Sequence, residues 1–191
     1  MFSTLILQSL HVALLGLTFA TRVHGSMNYV PNDIVCPEDS HAGFVHNTYT
    51  YIAPLEAFTN ITKSFFDIKW YADTNVTNTT GTDNVPGATR SGLSGGGVFN
   101  ETLMMYSMHH DSLVYTFHGQ AVTYSLPNQN PLHFDGYAET MRLKSICNGQ
   151  ATYIDFITYL CSNESTAAYD VWYTAHMFAL QEVTAGLGAK I

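Results

Sequence analysis

Arg90 and Glu101 are the residues whose types and spacing first suggest chemistry. A symmetric turn over Ser94-Gly95-Gly96-Gly97 joins two predicted strands and sets Arg90 directly across from Glu101. A glycan on the sequon Asn100-Glu101-Thr102 would hold Asn100 outward, and alternation then turns Glu101, Leu103 and Met105 to the inner face. An Arg/Glu pair there can polarise a carbonyl or move a proton. The same pair also fits a plain ion pair at the rim or on the outside, and a slip of one residue would exchange the faces. His176 lies one turn after Trp172 on the buried stripe of a predicted C-terminal helix. Its imidazole could donate to a ligand carbonyl or carry a proton near neutral pH. A buried histidine that bonds a strand carbonyl is the competing reading, as core is for Trp172.

Glu139 and Asp155 fall on predicted strands. A carboxylate facing a dry cavity would have its ionisation disfavoured and could serve as an acid. Arg142 and Lys144 turn Glu139 inward in this reading, whereas the face of Asp155 stays open. His109-His110-Asp111 reads as a solvated turn, because adjacent histidines point apart and no further ligand is near in sequence. The glycines at 95–97 lack the lysine and the strand-to-helix setting of a phosphate loop, and no Gly-x-Ser-x-Gly or His-Glu-x-x-His occurs. We expect neither a metal nor a cofactor.

The elements that must position these groups follow from periodicity and turn signals. Residues 26–43 carry two prolines and little pattern and read as an irregular arm. Residues 46–53 alternate like a strand, Pro54 opens a short helix, and Phe66 and Trp70, four apart, suggest a second short helix over 63–70. The Thr/Asn-rich stretch 73–83 reads as a solvated loop. Strand-like runs follow at 85–93, 98–107, 113–126, 134–147 and 150–161, separated by connections so short that neighbours must run antiparallel. The stretch 165–187 is helical in period and presents Trp172, Ala175, His176, Ala179 and Val183 on one side. A meander followed by such a helix suggests an α+β sheet wrapped around a helix, with room between the two layers.

The chain has 191 residues, 46% of them apolar and 12% charged, which fits one globular domain. Fifteen acidic against seven basic side chains give a formal charge of -8, a field that repels phosphate, so nucleic acid is not an expected partner. The apolar run near the N-terminus is too short to span a bilayer comfortably and reads as a signal peptide over 1–25, with the cut uncertain by several residues. No second run is long enough to span, so the mature chain is expected in the secretory pathway, secreted or lumenal. Five sequons agree, at Asn60, Asn75, Asn78, Asn100 and Asn163. Three cysteines in an oxidising compartment predict one disulfide and one free thiol. Cys147 and Cys161 flank one predicted strand, about 30 Å apart at roughly 3.3 Å per residue, so Cys36 must be a partner in any single bridge.

The order of elements resembles the START-like, or SRPBCC helix-grip, superfamily of polyketide cyclase/dehydrase-like proteins. The local text that carries the resemblance is Val85-Pro86-Gly87-Ala88-Thr89-Arg90, Asn100-Glu101-Thr102-Leu103, Ser112-Leu113-Val114-Tyr115, and the closing pair Tyr137-Ala138-Glu139-Thr140-Met141-Arg142-Leu143 and Ala151-Thr152-Tyr153-Ile154-Asp155-Phe156. It covers about residues 44 to 188, within a domain of 44–191, with Phe156 where many relatives have Trp and Glu139 where a small or apolar residue is common. The resemblance implies a curved antiparallel sheet of six to seven strands around a long C-terminal helix, two short helices, and an internal cavity for one apolar small molecule. Tyr115, Phe117, Tyr137, Leu103, Met105 and Trp172 would line it, with His176, Arg90, Glu101 and Glu139 as the groups available for catalysis. It implies a cofactor-independent cyclase, dehydratase or isomerase, similar to fungal secondary-metabolite enzymes that guide hetero-Diels–Alder additions, or else a secreted carrier of a lipid, sterol or pigment. In this fold the first and last strands are antiparallel neighbours. That implies a Cys36–Cys161 bridge and leaves Cys147 as a free, buried thiol.

Overall fold

The structure, a computed structural model, describes residues 34–71, 74–125 and 130–187. Eight strands form one curved, open antiparallel sheet: β1 His41–Tyr51, β2 Asn75–Thr80, β3 Thr89–Ser94, β4 Gly97–His109, β5 Ser112–Gly119, β6 Val122–Tyr124, β7 Leu132–Ile146 and β8 Ala151–Ser162. Two helices accompany it, α1 Leu55–Thr62 and α2 Ser165–Leu187. The strand order is β1-β8-β7-β5-β4-β3-β2, with β6 added to β7. This is an α+β architecture consistent with a helix grip, with eight strands among the described residues where six to seven were expected. The signal segment 1–25 and residues 26–33 of the arm lie outside the described residues; the rest of the arm is shortened, because β1 already starts at His41.

Helix α2 lies across one face of the sheet, chiefly on β1 and less on β8 and β7. Its buried side is Ala168, Trp172, His176, Ala179, Leu180 and Val183. The Glu164 carboxylate caps its first turn by accepting the Thr166 and Ala167 N–H groups, and these bonds hold the carboxyl below its ordinary range. Because α2 covers mainly the β1 side, the β2–β4 wing has no helix above it. That asymmetry leaves the space described below.

Three local departures from the sequence reading have physical causes. The helix expected over 63–70 does not form. Asp83 accepts from the Ser64 hydroxyl at 2.7 Å and the Phe66 N–H at 3.0 Å, and Asn84 accepts from the Phe65 N–H at 2.9 Å. Side chains of a distant loop thus tie down the Phe65 and Phe66 amides, and the segment runs on as bends and turns. Within the expected loop at 73–83, Asn75–Thr80 pairs with β3 as the edge strand. Its residues are mostly exposed, so no alternation marked it as a strand. The single strand expected over 113–126 is two, since the chain leaves β5 after Gly119 and pairs again through β6 at the other end of β7.

The β3–β4 turn has Gly95 and Gly96 at φ 54° and 80°, the pair of positive values that a two-residue type I′ hairpin requires. It fixes the register Arg90↔Glu101. Cys36 and Cys161 form a disulfide, with Cα atoms 5.3 Å apart. Cys147, expected to be buried, is exposed, because it sits at φ 51° in the 3-10 turn Cys147–Gly149 between β7 and β8. The asparagines of all five sequons are exposed. Only the Asn163 amide is used at both ends, accepting from the His133 N–H and donating to the Pro131 carbonyl. Among the described residues no helix is long and apolar enough to cross a membrane.

Candidate functional site

A cavity of about 540 Å³ opens between α2 and the uncovered wing of the sheet. Its floor comes from the inner faces of β5 and β7, where Tyr115, Phe117, Tyr137 and Glu139 point the same way. Arg90, Phe99 and Glu101 continue it on β3 and β4, Trp70 and Tyr71 close one end, and Val171, Trp172 and Ala175 of α2 form the roof. Nine of the lining side chains are aromatic, which makes the space apolar apart from a few fixed polar groups.

The first polar group is the Arg90–Glu101 pair. Arg90 Nε donates to Glu101 Oε2 at 2.6 Å and its Nη1 donates to the Phe65 carbonyl at 2.6 Å. The guanidinium also lies over the Phe65 and Phe117 rings, 4.2 and 4.7 Å from their centroids. Tyr137 donates its hydroxyl to Glu101 Oε1 at 2.7 Å. Burial pushes the Glu101 carboxyl above its ordinary value, and Arg90 and Tyr137 draw it back without cancelling the rise. Tyr137 reaches Glu101 because its ring rests on Gly119, its cross-strand partner; a Cβ at residue 119 would overlap that ring. Burial, then the Glu101 charge, raises the Tyr137 hydroxyl well above its ordinary value, so it stays protonated and donates to Glu101.

The second is Glu139. Its Oε2 receives the Tyr71 and Thr158 hydroxyls, each at 3.4 Å, and lies 3.2 Å from His176 Nε2. His176 is wholly buried, stacked on Phe156 at 4.7 Å between centroids, with Nδ1 2.8 Å from Asn47 Oδ1. Asn47, His176 and Glu139 therefore form a line running from β1 through α2 to the cavity floor. Burial, then Glu139, raises the Tyr71 hydroxyl well above its ordinary value. The indole N–H groups of Trp70 and Trp172 are buried and have no acceptor among the described residues. A buried unpaired donor in a binding wall calls for an explanation, and a ligand acceptor or a water supplies one.

The sequence-derived residues are not all brought together. Arg90, Glu101, Glu139, Tyr115, Phe117, Tyr137 and Trp172 line the cavity. His176 does not line it and lies behind the wall, against Glu139, Tyr71 and Trp172. Leu103, expected in the wall, is fully buried beneath it. Met105, expected inward, is turned away: a bulge between Leu103 and Met105 pairs Met105 with Thr116 and returns Tyr106 to the inner face opposite Tyr115. Asp155 lies on the opposite face of the sheet from Glu139, bonded to His46 and Arg142. Asn47, Trp70, Tyr71, Phe99, Tyr124 and Phe178 were not singled out from sequence. For Asn47 a signal existed, a lone amide among the inner positions Val45, Tyr49 and Tyr51 of β1. Nothing comparable marked Tyr71, which is positioned by the irregular segment after α1.

Solved structures share this fold. A protein from Nitrosospira multiformis is similar with a TM-score of 0.52 at 21% identity, over 74% of this chain and 94% of its own. XoxI from Bacillus cereus gives 0.55 at 10% identity, over 75% and 94%. Norcoclaurine synthase from Thalictrum flavum, in complex with dopamine and hydroxybenzaldehyde, is similar over 78% of this chain and 87% of its own, at 11% identity and a TM-score of 0.49. No protein-family model matches the chain, and no curated protein matches it. The likeness defines a fold, and function must be argued from the site.

Proposed function

We propose that this protein is a cofactor-independent enzyme of polyketide cyclase-like type, a cyclase, dehydratase or isomerase that moves a proton on an apolar small molecule held in the cavity. The observation that carries the reading is Glu139: a carboxylate on the floor of an aromatic cavity, its Oε2 oriented by two hydroxyls and a buried imidazole. A carboxylate removed from water and held by fixed donors is placed to take a proton from carbon, and the cavity supplies orientation. Tyr71 is the one of its three polar neighbours that also lines the cavity. Arg90 and Glu101 largely satisfy one another and serve as a polar wall. His176 positions Glu139 from behind. We place the enzyme in the secretory pathway, on the N-terminal apolar run, the exposed sequons and a disulfide that suits an oxidising compartment, and in secondary metabolism on the polyketide cyclase-like resemblance alone.

The self-contained Arg90–Glu101–Tyr137 cluster favours a second reading, a carrier whose polar groups only rigidify the wall. The base-sensitive probe 5-nitrobenzisoxazole separates the two. A carboxylate in an apolar site removes its C3 proton, the C–H electron pair forms the nitrile, and the N–O bond breaks to leave a coloured phenolate. The expected result is turnover above matched acetate buffer that falls about 10²-fold in Glu139→Gln and much less in Glu101→Gln. Turnover equal in wild type and Glu139→Gln would leave the carrier.

A further inference from the structure

The charges that meet this cavity do not balance. Its lining holds one guanidinium and three carboxylates, on Arg90, Glu101, Glu139 and Asp170. Arg90 is spent on Glu101 and the Phe65 carbonyl. Glu139 remains on the floor, met by two neutral hydroxyls and, from behind, by His176, while the exposed Asp170 stands at the mouth on α2. Around them are ring faces, whose quadrupoles attract positive charge. The same wall already shows that pairing, with the Arg90 guanidinium over Phe65 and Phe117. Glu139 is already buried from water, so a neutral guest would give its charge no partner on the cavity side, and an anion would meet two carboxylates. The formal charge of -8 adds a favourable field for an approaching cation.

We propose that the bound molecule carries a positive charge, an ammonium or iminium nitrogen on an apolar body, enclosed by aromatic faces with its charge directed to Glu139 and its approach favoured by Asp170. This rests on the reading of the cavity as the ligand site. It also specifies the proton step: loss of a C–H proton beside an iminium to Glu139 lets the C–H electron pair form a carbon–carbon double bond, neutralises the nitrogen and yields an enamine.

Trp70 and Trp172 are the two tryptophans of the chain and both line the cavity, so intrinsic fluorescence reports on it directly. The probes are trimethyl(4-phenylbutyl)ammonium, its uncharged carbon isostere (5,5-dimethylhexyl)benzene, and 5-phenylpentanoate. The ammonium should bind at least about tenfold more tightly than the isostere, with the carboxylate weakest. Glu139→Gln should bring ammonium and isostere to near equality, and Asp170→Asn, an exposed change that serves if Glu139→Gln does not fold, should weaken the ammonium about threefold. Equal or tighter binding of the isostere would overturn the cation proposal while leaving the cavity a ligand site. Absence of a fluorescence change with all three probes would overturn both.

Discussion

Replacing Arg90 by leucine should cost about 3–5 kcal/mol of stability near neutral pH, because it leaves Glu101 buried without its counter-charge. Glu101 is 7% exposed and Arg90 4%, so neither can recover solvation by a small movement. The loss should depend on pH with a definite sign. Burial already holds the Glu101 carboxyl above its ordinary value of 4.5, and removing Arg90 deletes the charge that draws it down. The folded variant then binds the proton more tightly than the unfolded chain does, so its stability is fully present below the unfolded value and is lost as pH rises through the folded one. Urea melts at about pH 4 and about pH 8 should therefore show a small deficit in acid and a large one in base. The double change Arg90→Met with Glu101→Gln keeps an acceptor for the Tyr137 hydroxyl and removes both charges, and should recover most of the loss. A deficit equal at both pH values, or no recovery in the double variant, would mean that the pair is solvated.

Reducing the Cys36–Cys161 bridge should have an effect of similar size. The bridge spans a sequence separation of 125 residues, and closing so long a loop removes about 5 kcal/mol of unfolded-state entropy by the chain model. At a slope of about 2 kcal/mol/M this lowers the urea midpoint by about 2–3 M. The bridge also ties the start of β1 to the end of β8, and β1 is both the main support of α2 and the source of Asn47 behind His176. Reduction should accordingly slow turnover of the proton-abstraction probe before the sheet melts. Cys36→Ala with Cys161→Ala checks that the effect belongs to this bridge, since Cys147 is free and exposed in either state. An unchanged midpoint after complete reduction would show that the β1–β8 ladder alone holds the edge.

Much of this arrangement is legible in the residues, for reasons that can be named. Adjacent glycines at 95 and 96 permit the tight turn that indexes Arg90 against Glu101, so that pairing could be counted. The spacing of the cysteines leaves the partner of Cys36 open, and only the helix-grip resemblance, in which first and last strands are neighbours, implies the Cys36–Cys161 bridge that forms. What could not be read depends on contacts between distant segments. The bulge that turns Met105 away has no glycine or other marker at its site. The helical spacing at 63–70 gives no helix, and the Phe65 and Phe66 amides are tied instead to Asn84 and Asp83, about twenty residues on. Local sequence cannot report those bonds, because the acceptors come from another segment. His176 looked like a ligand-facing group because it shares a helix face with Trp172; the position of Phe156 and Asn47 decides that it lies behind the wall.

If a ligand occupies the aromatic cavity, its reacting atom lies at Glu139. A crystal structure of the protein soaked with 5-nitrobenzotriazole, a planar N–H isostere of the proton-abstraction probe, tests it most directly. The ring should lie between Trp70 and Trp172 with an N–H donated to a Glu139 oxygen. Density for the compound at the surface only, with Glu139 sealed beneath closely packed side chains, would contradict it.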